Sequence, residues 1–270
     1  MSSALAAPAA APNLGWMLAG FVVLVAGLAA LAAGRRHGPL ESPGGTRRAL
    51  LYGLVYTLVA ACFMRVLAPA LAGTERSPWL LAVGDVMFVT LAIFVWVMAL
   101  AEGRAPRAIG FRLCRLRSMA ICLAMGLGAV VVFAFGPWRA ILAGEVRPTT
   151  DTIVFAALFA LVGSALPEEV LFRGYLMSSL NGRARRWARV ALPALAFTAS
   201  RSLRFWPGEA LPWDDWLFYV TGVCLPLGLW WGLMRDLAGG SLWPALLSHA
   251  LLEFGTTLAS ASPTGTVHHS

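Results

Sequence analysis

The stretch A-L-P-E-E-V-L-F-R-G-Y, Ala165 to Tyr175, lies inside a long apolar run from Thr152 to Leu180. A charge at the centre of a membrane helix costs roughly 2.5 to 3.5 kcal/mol on insertion scales. Glu168, Glu169 and Arg173 therefore need partners, a wet cavity or a function. Helical spacing places Glu169 and Arg173 at i,i+4 on one face, where they can pair. Glu168 is rotated by about 100° from Glu169, and no cation of its own helix reaches it. A carboxylate left over after local pairing is a candidate for acid/base chemistry. The bland reading is a structural charge cluster facing the interior of a helix bundle.

The rest of the chain fits a membrane setting. Of its 270 residues 59% are hydrophobic and 13% charged, and mean hydropathy is +0.74. That balance marks an all-α, polytopic membrane protein rather than a soluble domain. All the basic residues are arginine, and the net charge of +8 falls in loops between apolar runs. There it sets topology, so no nucleic acid partner is expected. Cys62, Cys114, Cys122 and Cys224 have no C-x-x-C spacing and read as small buried hydrophobes. The N-terminus has no basic n-region, so no cleavable signal is expected.

Apolar runs long enough to cross a bilayer number about eight. They are Leu14–Ala33, Ala49–Leu71 with Arg65, Trp79–Leu100 with Asp85, Met119–Gly136, Thr152–Leu180, Val190–Phe205, Trp216–Met234 and Ser241–Leu258. The loops after the first, third and fifth are basic. Both termini are then placed on the non-cytoplasmic side. Pro137 and Arg139 read as part of a connector after the fourth span. Trp79, Trp138, Trp206, Trp213, Trp216 and Trp243 fall near predicted span ends, as interfacial tryptophans do. No internal repeat is visible, which counts against a repeat-built transporter. Asp85 is expected to pair with Arg65 on the neighbouring span.

Depth connects the later spans. At 1.5 Å per residue, Glu168 lies roughly 18–20 Å from the cytoplasmic end of its span. His249 lies roughly 12 Å in and Arg201 roughly 16–18 Å in, from the same side. A cavity open to the cytoplasm can collect all three. Pro167 is expected to bend the helix beside the glutamates and help to open it.

The run Glu168-Glu169-Val170-Leu171-Phe172-Arg173 matches E-E-x-x-x-R. It resembles the CPBP family of glutamic-type intramembrane proteases (CAAX proteases and bacteriocin-processing enzymes, also called ABI). Ser241-Leu242-Trp243-Pro244-Ala245, followed by His249, is similar to the lead-in of that family's third motif. Pro106 to Arg112 is similar to the short basic segment that often precedes its core. The resemblance covers about residues 104–257. It implies a CAAX-protease-like helical bundle with three parts: N-terminal membrane helices (1–103), a protease core (104–260) and an exposed tail (261–270). It also implies hydrolysis of a peptide bond near the cytoplasmic face. Glu168 would be the base that activates water, and Glu169 with Arg173 its support. His249 would donate to the oxyanion. The substrate would be a peptide or membrane-protein segment in the lipid bilayer. The resemblance calls for no metal and no cofactor.

Two positions depart from the family pattern. Its second motif is F-x-x-x-H, but Phe197 is followed at that spacing by Arg201. Its third motif ends in Asn or Asp, where this chain has Glu253. Arginine donates but does not accept, so Arg201 can serve an oxyanion but cannot orient water as an acceptor. The two replacements can form an ion pair, Arg201 with Glu253, that leaves Glu168 free. The candidate site is therefore Glu168, Glu169, Arg173, Arg201, His249 and Glu253.

Two other classes compete. A catalytically inactive family member acting as a membrane scaffold or immunity-type factor is favoured by the lost histidine. A transporter using the intramembrane charges is disfavoured by the missing repeats. Zinc and serine chemistries are set aside, because the chain has neither H-E-x-x-H nor G-x-S-x-G. An integral, multi-pass location in a bacterial inner membrane is expected.

Overall fold

In the computed structural model, the described residues are 45–62, 93, 97, 103–181, 184–204 and 212–261. Among them the chain is all-helical, with no strand. The helices are α1 (Thr46–Cys62), α2 (Leu116–Leu142), α3 (Thr150–Ser179), α4 (Arg186–Arg204), α5 (Trp213–Leu237) and α6 (Trp243–Ala261). Of the described helices, α2, α3 and α5 are long and apolar enough to cross a membrane. The expected first span, nearly all of the third and the end of the second lie outside the described residues. So do Arg65, Asp85 and their expected pair, Trp79, Trp206 and the C-terminal tail.

The helix α2 runs further than the sequence suggested. Pro137 and Arg139 sit inside it rather than in a connector. Proline cannot donate to the carbonyl of Phe133, four residues back, and its ring crowds that turn. The helix kinks there instead of ending: Ala134 has φ −128° and ψ 18°. Trp138, placed at a span end by sequence, packs against Phe254 of α6 with ring centroids 5.9 Å apart.

The focal helix α3 holds a second departure. It is not an α-helix bent at Pro167. Phe159–Ala165 and Glu169–Leu176 wind as π-helix on either side of the short α-turn Leu166–Glu168. A proline N cannot close an i→i−4 bond. The Leu166 N–H, just before it, already reaches back five residues to the Leu161 carbonyl. Wide turns of this kind are frequent at functional sites. The helix α5 has a similar segment, Tyr219–Cys224.

Packing is set by small residues. Lipid tails are as apolar as a leucine side chain, so close approach of helices, rather than burial from water, holds such a bundle. The helix α6 lies along α2 and α3, α5 along α4, and α1 along α4 and the second half of α3. At the α2–α6 contact, a Cβ on Gly126 would lie 2.8 Å from the Ser248 Cβ. At the α4–α5 contact, one on Gly228 would lie 3.2 Å from Ala194.

The basic segment before α2 fastens two helices together. Ser178 of α3 donates to the Ala108 carbonyl at 3.0 Å. The Leu242 N–H donates to the Gly110 carbonyl at 2.9 Å, and Ser241 Oγ donates to the Arg112 carbonyl at 2.7 Å. Ile109 is buried. The segment thus pins the start of α6 against the end of α3. That fixes the depth of His249 relative to Glu169.

Cys122 and Cys224 are buried as expected, Cys114 is half-buried, and Cys62 is exposed. Cys62 continues a face of α1 that also carries exposed Leu58 and Val59. Burial therefore does not extend to all four thiols.

Candidate active site

Three helices deliver the six candidate residues to one place. The helix α3 brings Glu168, Glu169 and Arg173, α4 brings Arg201, and α6 brings His249 and Glu253. The Glu169–Arg173 pair forms as its spacing predicts, with Nη1 2.9 Å from Oε1. Both side chains are fully buried. Arg173 also donates to the Gly228 carbonyl at 3.1 Å and lies 4.4 Å over the Phe197 ring.

His249 is held on two sides. Its Nδ1 is 3.0 Å from Glu169 Oε1, and an ionised carboxylate only accepts, so Nδ1 carries the proton. Its ring stacks on Trp231, with centroids 4.0 Å apart. Phe197 meets it edge-on. Trp231 is fixed in turn, because its Nε1 donates to Ser248 Oγ at 3.2 Å. The far nitrogen, Nε2, faces three charged groups: Glu168 at 3.7 Å, Glu253 at 3.6 Å and Arg201 Nη2 at 3.4 Å.

Arg201 is the hub. Its Nη2 is 2.8 Å from Glu253 Oε1 and 2.8 Å from Glu168 Oε2, and its Nε is 3.2 Å from the same Glu168 oxygen. Nη2 also reaches Ser164 Oγ at 3.1 Å. The expected pair of Arg201 with Glu253 is therefore present. The expectation that this pair leaves Glu168 free is corrected: the same guanidinium bridges both carboxylates. Arg204 engages the other oxygen of Glu168, Oε1. Glu168 is fully buried between two arginines.

Arg204 is the residue that sequence reading left without a role. Its signal was present, since it follows Arg201 by three residues and so shares its face. With Arg204 counted, three arginines (Arg173, Arg201, Arg204) balance three glutamates (Glu168, Glu169, Glu253). A buried charge is tolerated when it is paired, and here each of the three carboxylates has a guanidinium partner. Tyr56 of α1 was also missed. Its ring lies beneath Arg204, 5.7 Å from the guanidinium carbon, so α1 helps to shape the site.

A cavity of about 440 Å³ opens beside this network. Tyr219, Val223, Leu227 and Leu252 form apolar walls, with Trp231 at one side. Of the six candidate residues, Arg201 and Glu253 line it. The expected collection of Glu168 and His249 at its wall does not occur: both lie behind that pair and are fully buried.

Residues 150–255 match the Rce1-like family, type II CAAX prenyl endopeptidase Rce1-like. The match spans α3 to α6 and so includes every residue of the cluster except Tyr56. It is consistent with the CPBP/CAAX-protease resemblance carried by Glu168, Glu169, Arg173 and His249. The Rce1-like family supports a CAAX intramembrane endopeptidase and so a peptide substrate. No curated protein matches the chain, and no solved structure does.

Proposed function

We propose that this protein is an intramembrane endopeptidase of the glutamic type, acting on a peptide or membrane-protein segment near the cytoplasmic face. The single observation that carries the reading is the cluster of three glutamates, three arginines and one histidine, five of the seven buried, met by a cavity at Arg201 and Glu253. Peptide hydrolysis needs a base to take a proton from water and a cation or donor to hold the oxyanion. Glu168 and Glu253 are the carboxylates of the cluster nearest the free face of His249. The family resemblance assigns the base to Glu168. Glu169 and Arg173 set the ring of His249. The resemblance gives His249 the oxyanion, a role it fills through Nε2 only with the ring doubly protonated, since Nδ1 already serves Glu169. Arg201 donates at the same place without any change of protonation.

The apolar walls of the cavity suit a hydrophobic side chain next to the scissile bond. The working unit in this reading is residues 104–260, because the segment at 106–112 is bonded to α3 and α6. About eight spans, in a bacterial inner membrane, complete the proposed architecture.

A second reading has its own support. Both oxygens of Glu168 are engaged by guanidinium groups, as suits an inactive scaffold of the same fold. Purified protein in detergent, given a quenched peptide library, separates the two. The endopeptidase reading expects cleavage that survives a chelator and is lost in His249→Ala while the fold is kept. Absence of cleavage by the folded wild-type protein would leave the scaffold.

A further inference from the structure

We propose that Glu253, not Glu168, is the carboxylate that activates water in this protein. The inference rests on the endopeptidase reading and deepens it. Three observations carry it. First, access differs: the Glu253 side chain is 16% exposed and lines the cavity, whereas that of Glu168 is 0% exposed. Water and a peptide carbonyl arriving through the cavity meet Glu253 before any other carboxylate of the cluster.

Second, occupancy differs. Arg201 holds Glu168 Oε2 through two nitrogens, and Arg204 holds Oε1. Three of the about four lone-pair positions of Glu168 are thus taken. Glu253 is bonded to Arg201 through Oε1 alone, at 2.8 Å. A carboxylate has about four lone-pair positions, so Glu253 keeps acceptor capacity on its cavity side. Third, position differs. Glu253 lies beside Arg201, the cation that also faces the cavity. Base and oxyanion donor are then adjacent, as the attack on a carbonyl requires. Glu168 becomes a positioning residue: with Ser164, it holds Arg201 in place.

The chemistry balances with these groups. Water gives a proton to the Glu253 carboxylate as its oxygen bonds to the carbonyl carbon. The carbonyl π pair moves to oxygen, and the resulting oxyanion rests against the Arg201 guanidinium. Glu253 then returns the proton to the amide nitrogen. The C–N bond breaks, leaving a carboxylic acid and an amine.

The test uses full-length protein in detergent with the same quenched peptide library. Glu253→Gln is expected to lower kcat by at least ~100-fold, the scale of lost acid/base catalysis. Glu168→Gln is expected to lower it by only about 10-fold, since Arg201 keeps other partners. Formate is expected to restore cleavage in Glu253→Ala and not in Glu168→Ala, because only the first deletion leaves a gap at the cavity wall. Glu253→Asp guards against a folding artefact. It retains the charge and the partner, so a purely structural role predicts the wild-type rate, whereas a base withdrawn by one methylene predicts a lower kcat at unchanged KM. Glu253→Gln within threefold of wild type, or formate rescue of Glu168→Ala alone, overturns the assignment and leaves the endopeptidase reading standing. A wild-type protein that cleaves nothing overturns that reading itself.

Discussion

Trp231 and His249 lie face to face, their ring centroids 4.0 Å apart and their planes 16° from parallel. The stack comes from α5 and α6 and is fully buried on both sides. It fixes the plane of the imidazole, and the 3.0 Å contact with Glu169 turns Nδ1 toward that carboxylate and Nε2 toward the arginine-bridged carboxylates. Trp231→Ala removes the stack and opens a void, which costs about 3–5 kcal/mol for a buried aromatic. Thermal unfolding in detergent is expected to show that loss. Trp231→Phe keeps a ring over His249 but removes the indole donor to Ser248 Oγ, which still donates to the Gly126 carbonyl, and is expected to cost about 0.5–1.5 kcal/mol.

Arg173 and Glu169 make the sharpest stability prediction. Both are fully buried, and removing one partner of such a pair leaves an uncompensated charge, at about 3–5 kcal/mol. Arg173→Met alone is therefore expected to destabilise the fold severely. Adding Glu169→Gln, which removes the stranded charge, is expected to recover part of the loss. A double-mutant cycle on the unfolding free energy measures the coupling. Coupling near zero would show that Arg173 acts through its cation–π contacts with Phe197 and Trp231 rather than through Glu169.

Much of this site could be read from the chain, and the reason is energetic. In an apolar run a charge is conspicuous, because it needs a reason to be there. Glu168, Glu169, Arg173, Arg201, His249 and Glu253 could therefore be selected, and spacing alone gave the Glu169–Arg173 pair. What escaped was the wiring between helices. Arg201 had two possible carboxylates, and nothing in one dimension says that a single guanidinium nitrogen reaches both. Arg204 was passed over because it lies at the end of its span, where an arginine is ordinary. The π windings of α3 also left no clear mark beyond Pro167, since local propensity does not separate i→i+5 from i→i+4 winding. The kink at Ala134 shows the opposite error, a proline read as a stop where packing on α6 carries the helix onward.

Gly110 tests the fastening of the basic segment. Its φ is 105°, a region that residues with a side chain rarely adopt. An added Cβ would lie 2.7 Å from Leu242 Cγ and 2.8 Å from the Gly240 carbonyl oxygen. Gly110→Ala is expected to cost about 1–3 kcal/mol in backbone strain, with the steric contact adding to it. The consequence for function is a small shift of α6 against α3. Cleavage is expected to fall more than stability, since a misplacement of about 1 Å can cost ~100-fold in rate. Limited proteolysis across residues 103–112, run beside the peptide assay, separates loosening of the segment from loss of the fold.

The charge exchange Arg201→Glu with Glu253→Arg distinguishes a simple ion pair from a bridge. If Arg201 served Glu253 alone, exchanging the two charges would restore what either single change lost. The geometry predicts failure. Arg201 also holds Glu168 at 2.8 Å, so a carboxylate placed on α4 would face Glu168 directly, with only Arg204 left on that side. Like charges at that separation disfavour each other by several kcal/mol in a poorly solvated site. The double variant is expected to unfold at a lower temperature than Glu253→Arg alone. Adding Glu168→Gln to the exchanged pair removes the repulsion, and stability is then expected to rise toward wild type without return of full activity. Recovery of stability by the double exchange alone would mean that Arg201 and Glu168 are not coupled in the folded protein, and that the bridge between α3, α4 and α6 does not form.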